Sequence, residues 1–283
     1  KGEERNGYST YLWREAKGSH IALFPNLNVN DPILRGLFRD VRFRRALSIS
    51  IDREMINEAL YFGLAAESNN TVLPESPLFK EEYKSSWTEF DLNTANKLLD
   101  EIGIINRNKD GFRLLEDGRI LELIIETAGE SEEETDVLEL IKDGWAEIGV
   151  KLFSKPSQRE VLRNRIFSGE TMMAIWSGLE NGVPTADFEP RELAVTSQHQ
   201  YQWPKWGQYV ETGGRSGQKV DMEPALMLDA LHKKWRQARE QSERKRIWHE
   251  MLSIHADQVF SIGIVSGVRQ PVVVRKTLKN VPK

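Results

Sequence analysis

The sequence of 283 residues predicts an α/β fold, in which helices flank a mixed β-sheet. Strand-like and helix-like segments alternate between residues 112 and 176, an order typical of right-handed βαβ units. Amphipathic helical segments at 40–63 and 90–103 begin at aspartates and end at glycines, as capped helices do. Apolar runs at 259–265 and 272–274 have the composition of further strands. The length suits one large domain or two ordinary ones.

The composition excludes several classes of protein. Thirty-nine basic and 43 acidic residues leave a net charge of −4, so we predict no nucleic-acid partner. The absence of cysteine excludes disulfides, thiolate metal sites and a cysteine nucleophile. No apolar run approaches the roughly 18 residues of a membrane-spanning helix. The chain starts at Lys1 in a polar segment without a signal-peptide pattern, so we expect a fragment or a processed chain.

Two short helices are predicted in the stretch from Asp40 to Gly63. Asp40 and Asp52 are each placed to accept a backbone N–H from the first turn of the helix that follows. Apolar residues share one face of each helix, and Gly63 lies where a left-handed terminal residue is favoured. A third helix is predicted at 90–103, with Asp91 as its N-cap.

The strand predictions depend on composition and on turn residues. Residues 21–29 have strand character, and Pro25 favours an edge or connecting strand over a central one. Residues 112–115 and 120–127 flank a turn sequence and predict a hairpin. Short strands are also predicted at 150–153 and 172–176.

Two further helices are predicted between these strands. An acidic run at 130–134 predicts the start of a helix, because negative charge is stabilised at a helix N-terminus. This helix is predicted to end at Gly149. Ser157 and Glu160 have the spacing of a capping box and open a helix that runs to Phe167.

Residues 178–224 show no sustained period and are rich in Gly, Pro, Trp and Gln. A long irregular loop in a compact domain is more often functional than accidental. Helical periodicity returns after Pro224 and continues to the strand-like tail.

Two segments carry a resemblance to a known family. The first is Asp-x-x-Phe-Arg-x-Ala-Leu-Ser followed by Ile-Asp-Arg, within 40–63, and the second is FDLNTANKLLDEIG at 90–103. They resemble the extracytoplasmic solute-binding proteins of ABC importers, the oligopeptide, dipeptide and nickel-binding family (family 5). The resemblance implies the C-terminal lobe of a type II periplasmic-binding-protein fold. Its domains would be a hinge segment at 1–39, ligand-binding lobe II at 40–258, and strands at 259–283 that return towards the first lobe.

The resemblance also implies a function. In the periplasm, a substrate-binding component of an ABC transporter would capture a peptide-like or other small oligomeric solute between two lobes. It would then deliver the solute to a membrane permease. The implied partners are the ligand, an ABC permease and a missing N-terminal lobe; no cofactor, metal or catalysis is implied. An alternative with the same fold is a receptor lobe that presents its ligand to a membrane sensor. Peptides, oligosaccharides, opine-like conjugates and murein fragments all remain open as ligands.

The first candidate binding segment follows the strand at 172–176. Open α/β sheets bind ligands beyond the carboxyl ends of their strands, and this strand ends at Trp176. Peptide-binding members of the family have an aspartate three residues after such a tryptophan, but Leu179 stands there in this chain. We therefore predict Trp176, Glu180 and Asn181 as ligand-binding residues, with Glu180 available for a displaced amine.

The second candidate segment is the aromatic loop at 199–209, from which we predict Tyr201, Trp203 and Trp206 as ligand-binding residues. Flat aromatic faces bind sugar rings, peptide side chains and planar cations. The alternative is that these aromatics anchor a long loop to the lobe. If they bind ligand, substitution of Trp176 or Trp203 should weaken binding and leave the melting temperature nearly unchanged.

Patterns for other chemistry are weak. Arg159, Arg163 and Arg165 could form a basic face for an anionic ligand, although a solvated helix face is the simpler interpretation. The histidines lack metal-ligand spacing. Ser242 and Lys245 have the spacing of a Ser-Lys hydrolase pair but open a polar helix, so we predict that the chain is not an enzyme.

Overall fold

The computed structural model describes residues 7–282, which contain two β-sheets. A sheet of six strands has the order β3-β7-β2-β6-β4-β5, and β1 pairs with β8 in a separate two-stranded ribbon. The strands are β1 (Tyr8–Arg14), β2 (Ile21–Pro25), β3 (Ala66–Glu67), β4 (Glu122–Thr127), β5 (Lys151–Pro156), β6 (Met173–Trp176), β7 (Ile262–Ser266) and β8 (Arg269–Arg275).

Helices pack around the larger sheet. They are α1 (Pro32–Arg39), α2 (Val41–Ile49), α3 (Arg53–Tyr61), α4 (Glu81–Ser85), α5 (Leu92–Glu101), α6 (Glu132–Glu147), α7 (Arg159–Ser168), α8 (Pro204–Glu211), α9 (Glu223–Gln237) and α10 (Gln241–Gln258). None of the helices between residues 7 and 282 combines the length and the apolar character needed to cross a bilayer.

The six-stranded sheet is mixed. Strand β4 runs parallel to both β5 and β6, whereas β2 is antiparallel to β6 and to β7. The parallel strands are joined through α6 and α7, as the alternating pattern at 112–176 predicted. The α/β fold with a mixed sheet flanked by helices is therefore confirmed.

The position predicted for the strand at 21–29 was wrong. Strand β2 lies in the interior of the sheet, between β6 and β7. Pro25 is tolerated because it is the last residue of β2, opposite Met173, and the next residue resumes the bonding when the Asn26 N–H donates to Met172 O at 2.9 Å.

The capped helices were predicted correctly. The N–H of Arg42 donates to Asp40 Oδ1 at 2.9 Å, and that of Met55 donates to Asp52 Oδ1 at 2.9 Å. Gly63 has a φ of +67°, which confirms the left-handed position after α3. In α5 the N–H of Thr94 donates to Asp91 Oδ1 at 2.9 Å. Each carboxylate thus satisfies an open N–H of its own helix.

The predicted elements at 112–115 and 157–160 need correction. Residues 112–115 form no regular strand and contribute only isolated bridges, one of which pairs Leu114 with Ile120. Helix α7 begins after Gln158, no side chain caps it, and Ser157 Oγ is buried without a partner in the described part of the chain. The capping box was therefore a false signal.

The region 178–224 is more regular than predicted, because it contains α8. The first two N–H groups at the start of this helix, those of Lys205 and Trp206, donate to Asn28 Oδ1 at 3.0 and 3.1 Å. The cap thus comes from a residue about 180 positions earlier, and no local cap marks the helix start in the sequence. Pro204 occupies the first helical turn, where its missing N–H does no harm.

The two-stranded ribbon joins the beginning and the end of the described chain. Its register pairs Tyr8 with Arg275 and Arg14 with Arg269. The tail strand at 272–274 was predicted, whereas its partner β1 was not, because residues 8–14 lie in a polar segment. The chain therefore enters β2 and leaves β7 side by side, because these two strands are neighbours in the larger sheet.

Candidate functional site

A cavity of about 550 Å³ lies at the carboxyl end of β6. Its walls come from β2, from residues 176–180 after β6 and from the loop at 188–202. Because β4 and β6 run parallel, their carboxyl ends share this edge of the sheet. The edge is the one at which open α/β sheets bind ligands.

Trp176 is the centre of an aromatic cluster in the cavity wall. Its ring is half-buried and meets the Tyr201 ring edge-on at a centroid distance of 6.3 Å. The Tyr201 ring meets Phe24 in the same way at 5.9 Å. On Trp176, the guanidinium of Arg159 lies 5.0 Å from the ring centroid. The cluster gives the cavity a wall of aromatic edges and faces beside a fixed cation.

A second cavity, of about 210 Å³, shares Trp176 and Ser177 with the first. Its other lining residues are largely ionisable: Glu15, Lys17, His20, Glu133 and Glu134. Lys17 Nζ donates to Ser177 Oγ at 2.9 Å. Within residues 7–282, no group of three or more His, Asp or Glu side chains is placed to hold a metal ion.

His20 links two segments at the wall of this smaller cavity. Its Nδ1 lies 2.6 Å from Glu15 Oε2, and its Nε2 lies 3.0 Å from Glu133 Oε1. Burial opposes a charge on the ring, but the hydrogen bonds and negative charges of Glu133 and Glu15 outweigh it and raise the pKa of His20. His20 in turn lowers the pKa of Glu133. The charged pair fastens the N-terminus of α6 to the segment that enters β2.

This arrangement predicts a pH-dependent stability. The contribution of His20 is present below its unfolded pKa of 6.5 and is lost as the pH rises through its raised folded pKa. The contribution of Glu133 is present above its unfolded value of 4.5 and is lost as the pH falls through its lowered folded pKa. We expect urea unfolding to show a plateau of stability between the two unfolded pKa values, 4.5 and 6.5. His20→Gln should abolish this plateau. Identical pH profiles for the two proteins would contradict the assignment.

Glu134 is a half-buried carboxyl between the aromatic cluster and the acidic start of α6. Burial, with the negative charges of Glu133 and Glu130 added, raises the pKa of Glu134 to about 7, although Arg159 opposes the shift. Its side chain has no hydrogen-bond partner in the described part of the chain. The smaller cavity therefore carries less negative charge at neutral pH than its carboxylates suggest.

Some of the residues after Trp176 form hydrogen bonds that fix the position of the chain. The N–H of Leu179 donates to Asn70 Oδ1 at 2.9 Å, and its carbonyl accepts from Gly18 N at 2.8 Å, so the segment is fixed at both sides. The exposed Glu180 lines the large cavity, 3.8 Å from Lys17 Nζ. Asn181 lines neither cavity, and its Oδ1 accepts from Val183 N at 3.0 Å to form a local turn. Asn181 is therefore not placed as the sequence predicted.

The tryptophans of the aromatic loop also differ from the prediction. Trp203 and Trp206 are each 0% exposed and stack at a centroid distance of 6.5 Å in the main core. Neither ring is accessible to a ligand in this arrangement. Their burial favours the alternative interpretation, in which they anchor the loop. Tyr201, by contrast, lines the large cavity, and its role in ligand binding stays a prediction.

The three arginines of α7 have separate roles. Arg163 is exposed and lines the large cavity, whereas Arg159 pairs with Glu130 at 2.6 Å while it covers Trp176. Arg165 donates to both oxygens of Glu126, which is 1% exposed. They do not form one basic face.

Several cavity residues were not identified from the sequence. Asn70, His255 and Ser261 come from distant segments outside any motif, and Gln202 lies in the aromatic loop, where only the aromatic residues were selected. Only the fold brings them together, so the sequence contains no signal that would have identified them. Ser242 and Lys245 are both exposed near the start of α10, line neither cavity, and no hydrogen bond joins their side chains.

An α/β lobe whose cavity opens beyond its strand ends is the architecture of a ligand-binding lobe. A family model of the bacterial extracellular solute-binding proteins, family 5 (middle region), matches residues 3–194, more than half of the chain. The chain therefore belongs to family 5 of the bacterial extracellular solute-binding proteins. The resemblance of the segments at 40–63 and 90–103 to this family is thereby confirmed.

Individual relatives agree with the family. The chain is 30% identical over 178 residues to a heme-binding protein A of Haemophilus influenzae, covering 62% of this chain and 29% of that protein. It is 28% identical over 139 residues to a probable ABC transporter-binding protein of Deinococcus radiodurans, covering 48% of this chain and 23% of that protein. The structure of an oligopeptide-binding protein OppA matches with a TM-score of 0.81 and 29% identity, over 99% of this chain and 46% of that one. The chain thus spans less than half the length of each of these proteins.

Proposed function

We propose that this chain is the ligand-binding lobe II of a solute-binding component of an ABC importer. It would act outside the cytoplasm, capture a solute between two lobes and hand it to a membrane permease without altering it. The observation that supports this most is the cavity of about 550 Å³ at the carboxyl end of β6, in a chain that belongs to family 5. The aromatic wall formed by Trp176 and Tyr201 supplies the ligand contacts.

The ribbon of β1 and β8 is proposed as the connection to the other lobe. Both strands leave the larger sheet together, so a lobe attached to their far ends would be joined through two adjacent strands. A ligand that touches both lobes favours the closed arrangement by its differential affinity for that arrangement. One lobe supplies only part of the contacts, and therefore we expect it to bind more weakly than the pair.

The relatives leave the solute open. The names of the similar proteins include a heme-binding protein and an oligopeptide-binding protein. Leu179 takes the position at which peptide-binding members have an aspartate for the ligand's ammonium group, which argues against capture of a free peptide N-terminus at that point. Glu180 is the next residue in the chain, and Glu192, whose carboxylate accepts from Glu180 N at 2.9 Å, lines the same cavity as Leu179, so these two are the acidic side chains available to replace it.

Mass spectrometry of the intact two-lobed protein under native conditions tests the proposal. We expect a solute to co-purify, to be released unchanged on denaturation, and to be retained far less by residues 7–282 alone. The exposed pair Ser242 and Lys245 provides the control, because Ser242→Ala should leave solute retention unchanged. A chemically altered solute whose formation depends on Ser242 would establish a hydrolase instead.

A further inference from the structure

Gln202 is a buried side chain without a partner in the large cavity. It is 6% exposed and lines the cavity, and its side-chain amide makes no hydrogen bond within the described part of the chain. Its backbone carbonyl accepts from Leu27 N at 2.8 Å, so the segment that follows β2 fixes the backbone of Gln202. The amide nitrogen and oxygen are therefore free to form hydrogen bonds with a ligand that enters the cavity. Such a group is stabilised when a ligand supplies the missing partner.

His255 lines the same cavity as Gln202 and is uncharged. Its Nε2 lies 2.8 Å from the carbonyl oxygen of Leu193, which fixes the ring proton on that nitrogen. Burial lowers the pKa of His255 to about 4, so the ring is neutral at physiological pH. Its Nδ1, which has no partner in the described part of the chain, is therefore a hydrogen-bond acceptor.

Ser261 completes the set with a donor. Its Oγ accepts a hydrogen bond from Asn70 Nδ2 at 2.8 Å, and the residue is 7% exposed. Asn70 cannot rotate to reverse this bond, because its Oδ1 already accepts from Leu179 N at 2.9 Å. The hydroxyl proton of Ser261 is therefore left to donate.

Charged side chains occupy the exposed part of the same cavity. Arg163, Glu180 and Arg191 are all exposed, whereas the buried part contains the neutral groups just described. The half-buried Glu192 accepts from Glu180 N at 2.9 Å, and burial raises its pKa. A charged ligand group in the buried part would lose its hydration without meeting a counter-charge, which is strongly unfavourable.

We infer that Gln202, His255 and Ser261 form a subsite for an uncharged ligand group that is both a hydrogen-bond donor and acceptor, such as a peptide amide or a sugar hydroxyl. This inference rests on the proposed function and states which chemistry the same cavity selects. Tyr201, adjacent in sequence and part of the same wall, offers the aromatic surface on which the rest of that ligand unit packs.

Calorimetric titration of the intact two-lobed protein tests this subsite with three probes. They are N-acetyl-trialanine amide, maltotriose and the zwitterionic peptide trialanine. We expect one of the two neutral probes to bind and Gln202→Met to weaken its binding at least tenfold, since methionine keeps the length of the side chain and removes both polar atoms. Which neutral probe binds identifies the source of the group as peptide or sugar.

Gln198→Met is the matched control. Gln198 lies in the same loop outside both cavities, and its side-chain amide makes no hydrogen bond in the described part of the chain, so this change should leave affinity unaltered. If Gln202→Met does not fold, Ser261→Ala replaces it and should weaken the same probe severalfold.

Three results would overturn the subsite: no binding of either neutral probe, tighter binding of zwitterionic trialanine than of its neutral analogue, or equal affinities in the variant and the wild type. The proposed function is judged separately. If a solute co-purifies with the wild-type protein and is retained equally by Gln202→Met, solute capture stands and the subsite alone is wrong.

Discussion

Replacing Arg53 with methionine is expected to lower the free energy of unfolding by about 3 kcal/mol or more. The guanidinium is 2% exposed and donates to Gly263 O at 2.9 Å, to Ser48 O at 2.8 Å and to Ser48 Oγ at 2.8 Å. A further bond reaches Thr88 O at 3.2 Å. Methionine would fill most of the space but remove the donors that Arg53 supplies to these oxygens, and lost hydrogen bonds to buried acceptors are costly.

The charge of Arg53 makes its position unusual. Burial lowers the pKa of Arg53 to about 9, with only a partial offset from Glu67, so the side chain is still a cation at pH 7. Its contacts join the start of α3 to the end of α2 and to β7 at once. The side chain therefore holds the two capped helices against strand β7 of the larger sheet.

Urea unfolding of the chain measures this effect, and Arg42→Met is the control. Arg42 belongs to the same pair of helices, but its side chain is 42% exposed and pairs with Asp40 at 2.6 Å on the surface. Solvent screens a surface pair of this kind, so its loss should cost far less stability than the loss of the buried Arg53 contacts. Equal losses of stability in the two variants would show that burial of Arg53 has no special importance.

The sequence predicts the elements whose determinants are local. Asp40, Asp52 and Asp91 cap helices that begin within three residues of them, so the pattern and the bond occupy the same few positions. The alternating segments at 112–176 predict the parallel strands for a similar reason, since each element has its own periodicity.

Elements that depend on distant residues were misjudged. Helix α8 is capped by Asn28, and the interior position of β2 is fixed by its pairing with β6 and β7 rather than by Pro25. The capping box at Ser157 had the right residue types, but the chain enters α7 at the next residue. In each case tertiary contacts override the local signal.

The candidate site shows the same division. Trp176, Glu180 and Tyr201 could be selected because they follow a strand or lie in an aromatic loop, and all three line the large cavity. Gln202 and Ser261 could not, because burial in the wall of a cavity is a property of the fold and not of the residue type. The sequence likewise gives no means of separating Tyr201 from the buried Trp203 in one loop.

Trp203 and Trp176 are expected to respond to substitution in opposite ways. Trp203→Ala should lower the free energy of unfolding by about 3–5 kcal/mol, because it opens a cavity in the core. The Trp203 ring is 0% exposed and meets Phe260 edge-on at 5.1 Å and His255 at 6.0 Å, so its loss removes contacts on several sides. Trp176→Ala should change stability by only about 1 kcal/mol, because the ring is half-buried at the cavity wall.

Ligand affinity should reverse this order. Trp176 contacts the large cavity, the smaller cavity and the guanidinium of Arg159, so its removal should weaken solute binding by the intact two-lobed protein at least tenfold. Thermal unfolding and calorimetric titration of both variants give the four values needed. A Trp203→Ala protein that melts like the wild type but binds poorly would return Trp203 to the ligand site. A Trp176→Ala protein that binds normally would show that the aromatic cluster lies outside the path of the solute.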